Sequence, residues 1–110
     1  MEHVKSRIWI EQDGEVLLGF GRIQLLKKIE ETASISAAAK AMQMSYKKAW
    51  KLINAMNTAA DQPLVITNTG GKDGGGTLLT DYGKLMITKF ETLNSACEDF
   101  LNEKFKELNA

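Results

Sequence analysis

The feature that most constrains this chain is a pair of helical patterns in residues 34–60 with almost no chain between them. Small apolar residues recur over residues 37–42, which predicts a short helix, and a second helical pattern begins after Ser45. Residues 43–44 alone separate the first pattern from Ser45. We expect Ser36 and Ser45 to cap the two helices, because a serine hydroxyl accepts a hydrogen bond from a free N–H of the first turn.

The second of these helices, predicted to run to residue 59 or 60, has two different faces. Helical spacing predicts an apolar, buried face made of Tyr46, Ala49, Trp50, Ile53 and Met56. The residues at i, i+4, i+7 and i+11 on the opposite side are polar: Lys47, Lys51, Asn54 and Thr58. Ser45 and Lys48 lie at the N-terminal end, where free backbone N–H groups favour anions. This pattern fits a helix in the major groove of DNA, and an ordinary solvated lysine face is the alternative.

Two hairpins are predicted around the helical region. Residues 7–11 and 15–18 flank an Asp13-Gly14 pair, which is typical of a type I′ turn. Gly19 and Gly21 end this hairpin, and an amphipathic helix runs from Arg22 to about residue 33. Strands at 64–67 and 78–79 flank a glycine-rich segment, and Thr80 caps a final helix over residues 81–108. The order predicts one α+β, mostly α domain over residues 1–110, a winged helix-turn-helix with its helix-turn-helix at about 36–59 and its wing at about 64–80.

The distribution of charge along the chain is uneven. Fourteen Lys and Arg residues balance fourteen Asp and Glu residues, which excludes a uniformly basic protein. Residues 34–60, however, carry four lysines and no acid, a net charge of +4, whereas residues 1–20 and 81–110 each carry −2. Local potential decides binding, because salt screens charges beyond about 10 Å. The pattern therefore favours contact with DNA through residues 34–60.

The glycine-rich segment 69–77 lacks the Gly-Lys-Ser/Thr of a phosphate-binding loop and lies between two strands rather than before a helix. We interpret it as a wing whose bare backbone approaches a phosphate or the minor groove closely, with Lys72 as its cationic contact. A plain turn without contacts is the alternative.

The final helix is long for the domain that precedes it, roughly 42 Å at 1.5 Å per residue. Its apolar residues recur three or four apart, and a domain of this size is too small to cover them all. We therefore predict a dimer, which would present two recognition helices about 34 Å apart. In the alternative, the helix folds back on the first hairpin. The candidate dimer residues are Phe90, Leu93, Cys97, Phe100, Leu101 and Phe105.

Several classes of protein are disfavoured. One cysteine, Cys97, and one histidine, His3, provide neither a disulfide framework nor a zinc site, so we expect no metal and no cofactor. No pair of carboxylates is placed for acid–base catalysis, and we do not expect an enzyme. The sequence shows neither a signal peptide nor a membrane span, so a cytoplasmic location is expected.

Seven stretches resemble the N-terminal DNA-binding domain of ModE-type molybdate-responsive transcriptional regulators and, more generally, LysR-type winged helix-turn-helix domains. The resemblance covers roughly residues 17–90. Its motifs are SISAAAK at 34–40, SYKKAW at 45–50, INAMN at 53–57, PLV at 63–65, TGGK at 69–72, GGG at 74–76 and LTDYG at 79–83.

The resemblance implies a dimeric regulator of prokaryotic operons, in which the last helix and the N-terminal hairpin help to form the dimer. It implies that Ser45, Tyr46, Lys47, Lys48 and Lys51 lie at or near double-stranded DNA. The further candidate DNA-binding residues are Ser34, Ser36 and Lys72. Helical spacing alone places Tyr46 on the buried face, so both positions stay open. The molybdate-binding modules of full-length members have no counterpart in these 110 residues, so molybdate sensing is not carried over, and a separate effector-sensing protein is a possible partner.

Two function classes follow from the sequence. The first is a sequence-specific, dimeric DNA-binding regulator. The second is a protein-interaction module that uses a winged helix without binding DNA. Added salt distinguishes them, because DNA binding falls steeply with salt and an apolar protein contact does not.

Overall fold

A computed structural model of the chain describes residues 2–68 and 76–110. A hairpin, three short helices, a second pair of strands and one long helix follow one another in the predicted order, which confirms the winged helix-turn-helix. Within the described ranges, no helix has the length and apolarity that crossing a membrane would require. The elements are β1 (Trp9–Gln12), β2 (Glu15–Gly19), α1 (Phe20–Thr32), α2 (Ile35–Ala41), α3 (Tyr46–Ala59), β3 (Val65–Asn68), β4 (Gly76–Leu79) and α4 (Asp81–Leu108).

The first hairpin turns at the predicted residues. Asp13 and Gly14 have φ angles of 51° and 84°, so both central positions are left-handed, as a type I′ turn requires. The prediction that α1 begins at Arg22 is wrong, because the helix begins at Phe20 and Gly21 lies inside it. Strand β2 therefore continues into α1 without a loop.

The helix-turn-helix begins earlier than the sequence predicts. Ser34, rather than Ser36, caps α2: its hydroxyl accepts a hydrogen bond from the N–H of Ala37 at 3.1 Å. Ser36 lies exposed in the first turn. Ser45 caps α3 as predicted, with its hydroxyl accepting from the N–H of Lys48 at 3.0 Å. Between the helices, Gln43 adopts the left-handed conformation, with φ of 55°.

The core lies between the first three helices, the inner faces of the strands and the beginning of α4. Only the first three turns of α4 contribute buried residues, from Gly83 to Phe90. The rest of this helix extends beyond the domain, so the molecule is 63 Å along its longest axis. The largest fully buried side chains are Leu18, Ile23, Leu25, Leu26, Ile29, Met56 and Leu64.

The wing is fixed to the helices at its base. The backbone N–H of Thr77 donates to the carbonyl of Ala33 at the end of α1, at 3.0 Å. Thr80 caps α4 as predicted, and its own N–H donates to the carbonyl of Leu64 at 2.9 Å. Gly83 packs so closely against Leu64 and Leu79 that a Cβ there would overlap both. The wing base and the start of α4 are thus one packed unit.

Candidate nucleic-acid interface

One face of α3 is exposed along its length. Lys47, Lys51, Asn54 and Thr58 are all exposed, as their spacing predicts. Ala49, Ile53 and Met56 are buried on the opposite side. The core therefore fixes the orientation of α3 and leaves its polar face available to a partner.

Tyr46 and Trp50 were predicted on the buried face, and this is wrong. Their exposed fractions are 55% and 49%. The buried stripe of α3 is narrower than the sequence pattern, since it consists of Ala49, Ile53 and Met56. Tyr46 and Trp50 lie at the edge of this stripe. Tyr46 is therefore accessible, consistent with what the resemblance implies.

Trp50 lies on the side of α3 that faces the wing. A cleft of about 140 Å³ runs between α3 and β3, with Ile35 of α2 at its inner side. Trp50 forms part of its wall opposite Val65 and Thr67 of β3. The indole thus lies beside the cleft that separates α3 from β3.

Asn57 is a residue that the sequence analysis missed. Its Nδ2 donates to the carbonyl of Val65 at 2.8 Å, and its Oδ1 accepts from the N–H groups of Leu64 at 2.8 Å and Val65 at 3.2 Å. These three bonds fix β3 relative to α3. Spacing within α3 does not predict these bonds, because their partners are backbone groups that follow Pro63, beyond the end of the helix. The only signal in the sequence was an amide side chain at the rim of the buried face.

The lysines of the helix-turn-helix are exposed, and none of them lies within salt-bridge distance of a carboxylate in residues 2–68 and 76–110. The ion pairs in those ranges join Lys27 to Glu91 and pair residues within α1 and within α4. The positive charge of residues 34–60 is therefore not neutralised by the described acids. Lys72 lies outside the described residues, and its contact stays a prediction.

The six candidate dimer residues have different surroundings. Phe90 is 3% exposed and belongs to the core of its own domain, so its place in a dimer surface is corrected. Phe100 is 64% exposed, and Leu93 is also exposed. Cys97, Leu101 and Phe105 are partly buried.

The N-terminal segment covers part of α4. Val4 and Asn102 form two hydrogen bonds, from the Val4 N–H to Oδ1 at 2.8 Å and from Nδ2 to the Val4 carbonyl at 3.0 Å. The chain thus covers one side of this helix with the segment before β1, rather than with the hairpin itself. Leu93 and Phe100 remain uncovered.

The described residues contain no group of three or more His, Cys, Asp or Glu side chains that would hold a metal ion.

Curated relatives match nearly the whole chain. It is 39% identical over 104 residues to the molybdenum transport protein ModE of Azotobacter vinelandii, covering 94% of this chain and 38% of that protein. It is 44% identical over 98 residues to the transcriptional regulator ModE of Haemophilus influenzae, covering 89% and 38%. It is 49% identical over 72 residues to the DNA-binding transcriptional dual regulator ModE of Escherichia coli, covering 66% and 28%. The chain thus spans less than two fifths of the length of these relatives.

The similarity lies where the structure places the helices and the wing. The model of the lysR family of bacterial regulatory helix-turn-helix proteins matches residues 20–84, from the first residue of α1 to the first turn of α4. The matched residues include α2, α3 and both wing strands. They also include Asn57 and Thr80, whose side chains form hydrogen bonds with the backbone of Val65 and Leu64. The chain therefore belongs to the lysR family of bacterial regulatory helix-turn-helix proteins.

Proposed function

We propose that this chain is the DNA-binding part of a transcriptional regulator and that α3 is its recognition helix in the major groove. The observation that carries the proposal is the exposed face of Lys47, Lys51, Asn54 and Thr58 on a helix whose other side is fixed in the core. Two of the relatives are named as transcriptional regulators, one of them as DNA-binding.

The polar residues divide into two roles. Lys47, Lys48 and Lys51 bind phosphates, which supplies affinity and a steep dependence on salt. Ser45 and Tyr46 lie at the start of α3, which is the end that reaches base edges in this mode of docking. The capping hydroxyl of Ser45 accepts from the helix, so its own proton is free to donate to DNA.

The start of α2 and the wing add backbone contacts. Ser34 caps α2 through its oxygen and retains a proton to donate, and Ser36 is exposed two residues later. Both are suited to a phosphate beside the groove. Lys72 on the wing is proposed to meet the backbone or the minor groove.

The functional unit is proposed to be a homodimer formed through α4. Leu93, Cys97 and Phe100 stand at i, i+4 and i+7 and therefore share one helix face. Leu101 and Phe105 are partly buried, and Phe105 lines a cavity together with Glu2 of the N-terminal segment. Two copies that pair here would cover the apolar residues that their own N-terminal segments leave exposed.

The competing function is a protein-interaction module, which the exposed apolar residues on α4 favour. Selection of bound sites from random duplex DNA separates the two. We expect enrichment of a palindromic sequence whose half-sites are about one helical turn, or a multiple of it, apart. Failure to enrich any sequence at low salt would reject the DNA-binding proposal, and a single, non-palindromic half-site would reject the dimer alone.

A further inference from the structure

Trp50 is a large, half-exposed aromatic residue on the face of α3 that would approach DNA. Its neighbours one turn away are Tyr46 and Asn54, and Lys47 and Lys51 flank it along the helix; all four are exposed. The lysines bring this face to DNA, and the Trp50 indole is the largest side chain on it. The further inference below rests on the proposed function.

The Trp50 side chain is about half buried, with 49% of it exposed. It borders the cleft between α3 and β3, which the apolar residues Ile35, Ile53 and Val65 also line. A tryptophan has two side-chain torsions, and packing of one side restricts both. Its exposed half therefore makes a contact with DNA at little cost in conformational entropy.

We propose that Trp50 is a specificity-determining residue that recognises the C5-methyl group of a thymine in the major groove. Apolar side chains identify thymine there because the methyl group is the one apolar feature that the base edges present. Lysines and serines do not supply this contact, because they form hydrogen bonds and ion pairs. The recognition surface thus combines charged residues that position the helix with Trp50, an aromatic residue that distinguishes thymine from the other bases.

The test replaces single thymines by uracil in a duplex selected from random DNA, which removes one methyl group and leaves base pairing intact. At one position in each half-site we expect binding of the unmodified protein to weaken about fourfold, the equivalent of one buried methyl group. Trp50→Ala should lose this sensitivity to uracil at that position while keeping its salt dependence. Trp50→Phe should keep part of the sensitivity.

Leu78→Ala is the matched control. Leu78 is 52% exposed, but it lies on the opposite face of the wing from Val65 and Thr67. Its replacement by alanine should therefore leave the effect of uracil unchanged. If the unmodified protein tolerates uracil at every thymine, or if Trp50→Ala retains the same sensitivity, the inference is wrong. Both of these outcomes are obtained on a duplex that binds, so they leave the proposed DNA binding intact, whereas failure to select any duplex would overturn both.

Discussion

Asn57 in α3 holds the backbone of Val65 in β3 from both sides: its Nδ2 donates to the Val65 carbonyl at 2.8 Å and its Oδ1 accepts from the Val65 N–H at 3.2 Å. The same oxygen accepts from the N–H of Leu64. One side chain thus joins β3 of the wing to α3. The geometry of the proposed interface depends on a residue that does not need to touch DNA.

Replacement of Asn57 by alanine should reduce both stability and binding. Three partly buried backbone groups lose their partner, which costs about 1–3 kcal/mol per group that stays unsatisfied, less where water replaces the amide. Urea unfolding measures the loss, and DNA binding should weaken because β3 of the wing loses its hydrogen bonds to α3. Asn54→Ala is the control, since Asn54 is exposed and should change the free energy of unfolding by less than about 0.5 kcal/mol. Equal stability of the two variants would contradict the role given to Asn57.

Lys47→Ala together with Lys48→Ala should weaken DNA binding without unfolding the domain. Each phosphate contact releases counterions, so log K falls as log salt rises. Loss of two contacts should make this dependence shallower, reducing the magnitude of the slope by about two. Anisotropy titrations at several salt concentrations measure this slope. Lys104→Ala together with Lys106→Ala, at the far end of α4, is the matched control and should leave the slope unchanged. An unchanged slope in the first variant would remove these lysines from the interface.

Two glycine substitutions should change stability in opposite directions. Gly83→Ala places a Cβ against the Leu64 carbonyl and within 2.8 Å of Leu79 Cδ1, so we expect a loss of about 1–3 kcal/mol. Gly21→Ala meets no atom within 4 Å inside α1 and should gain about 0.5–1 kcal/mol from the helix propensity of alanine. Urea unfolding of both variants checks the pair. A neutral Gly83→Ala would show that α4 does not pack against Leu64 as described.

Leu93→Ala together with Phe100→Ala should shift the dimer to monomers with little effect on folding, because both side chains are exposed in one chain. Sedimentation equilibrium measures the shift, and binding to a palindromic site should fall more than binding to a half-site. Phe90→Ala is the contrasting variant: it should destabilise the fold by about 3–5 kcal/mol, because it opens a cavity in the core. An unmodified protein that is monomeric at all concentrations would refute the α4 dimer.

Much of the fold was predictable because local rules decide it. The turn at Asp13 and Gly14, the cap at Ser45 and the start of α4 after Thr80 depend on residues near each other in the chain. Two serines, Ser34 and Ser36, both satisfy the rule for a helix cap, and only the course of the chain after α1 selects the first.

The candidate site was less predictable because its details depend on distant partners. Helical spacing places Trp50 on the apolar side, but how much of it is buried depends on elements that are distant in the sequence, such as β3. Phe90 and Phe100 belong to similar patterns, yet one is in the core and the other beyond it, since periodicity does not show where the neighbouring elements end. The partners of Asn57 were invisible for the same reason.

The contacts of Leu64 have a mechanical consequence. Its N–H is held by Asn57 of α3, and its carbonyl accepts from the N–H and the hydroxyl of Thr80 at the start of α4. This one buried residue therefore connects α3 to α4, a helix of 28 residues. In the proposed dimer, a change in the angle at which the two α4 helices cross would move both copies of α3 at once. The crossing angle would therefore set which half-site spacing the dimer accepts.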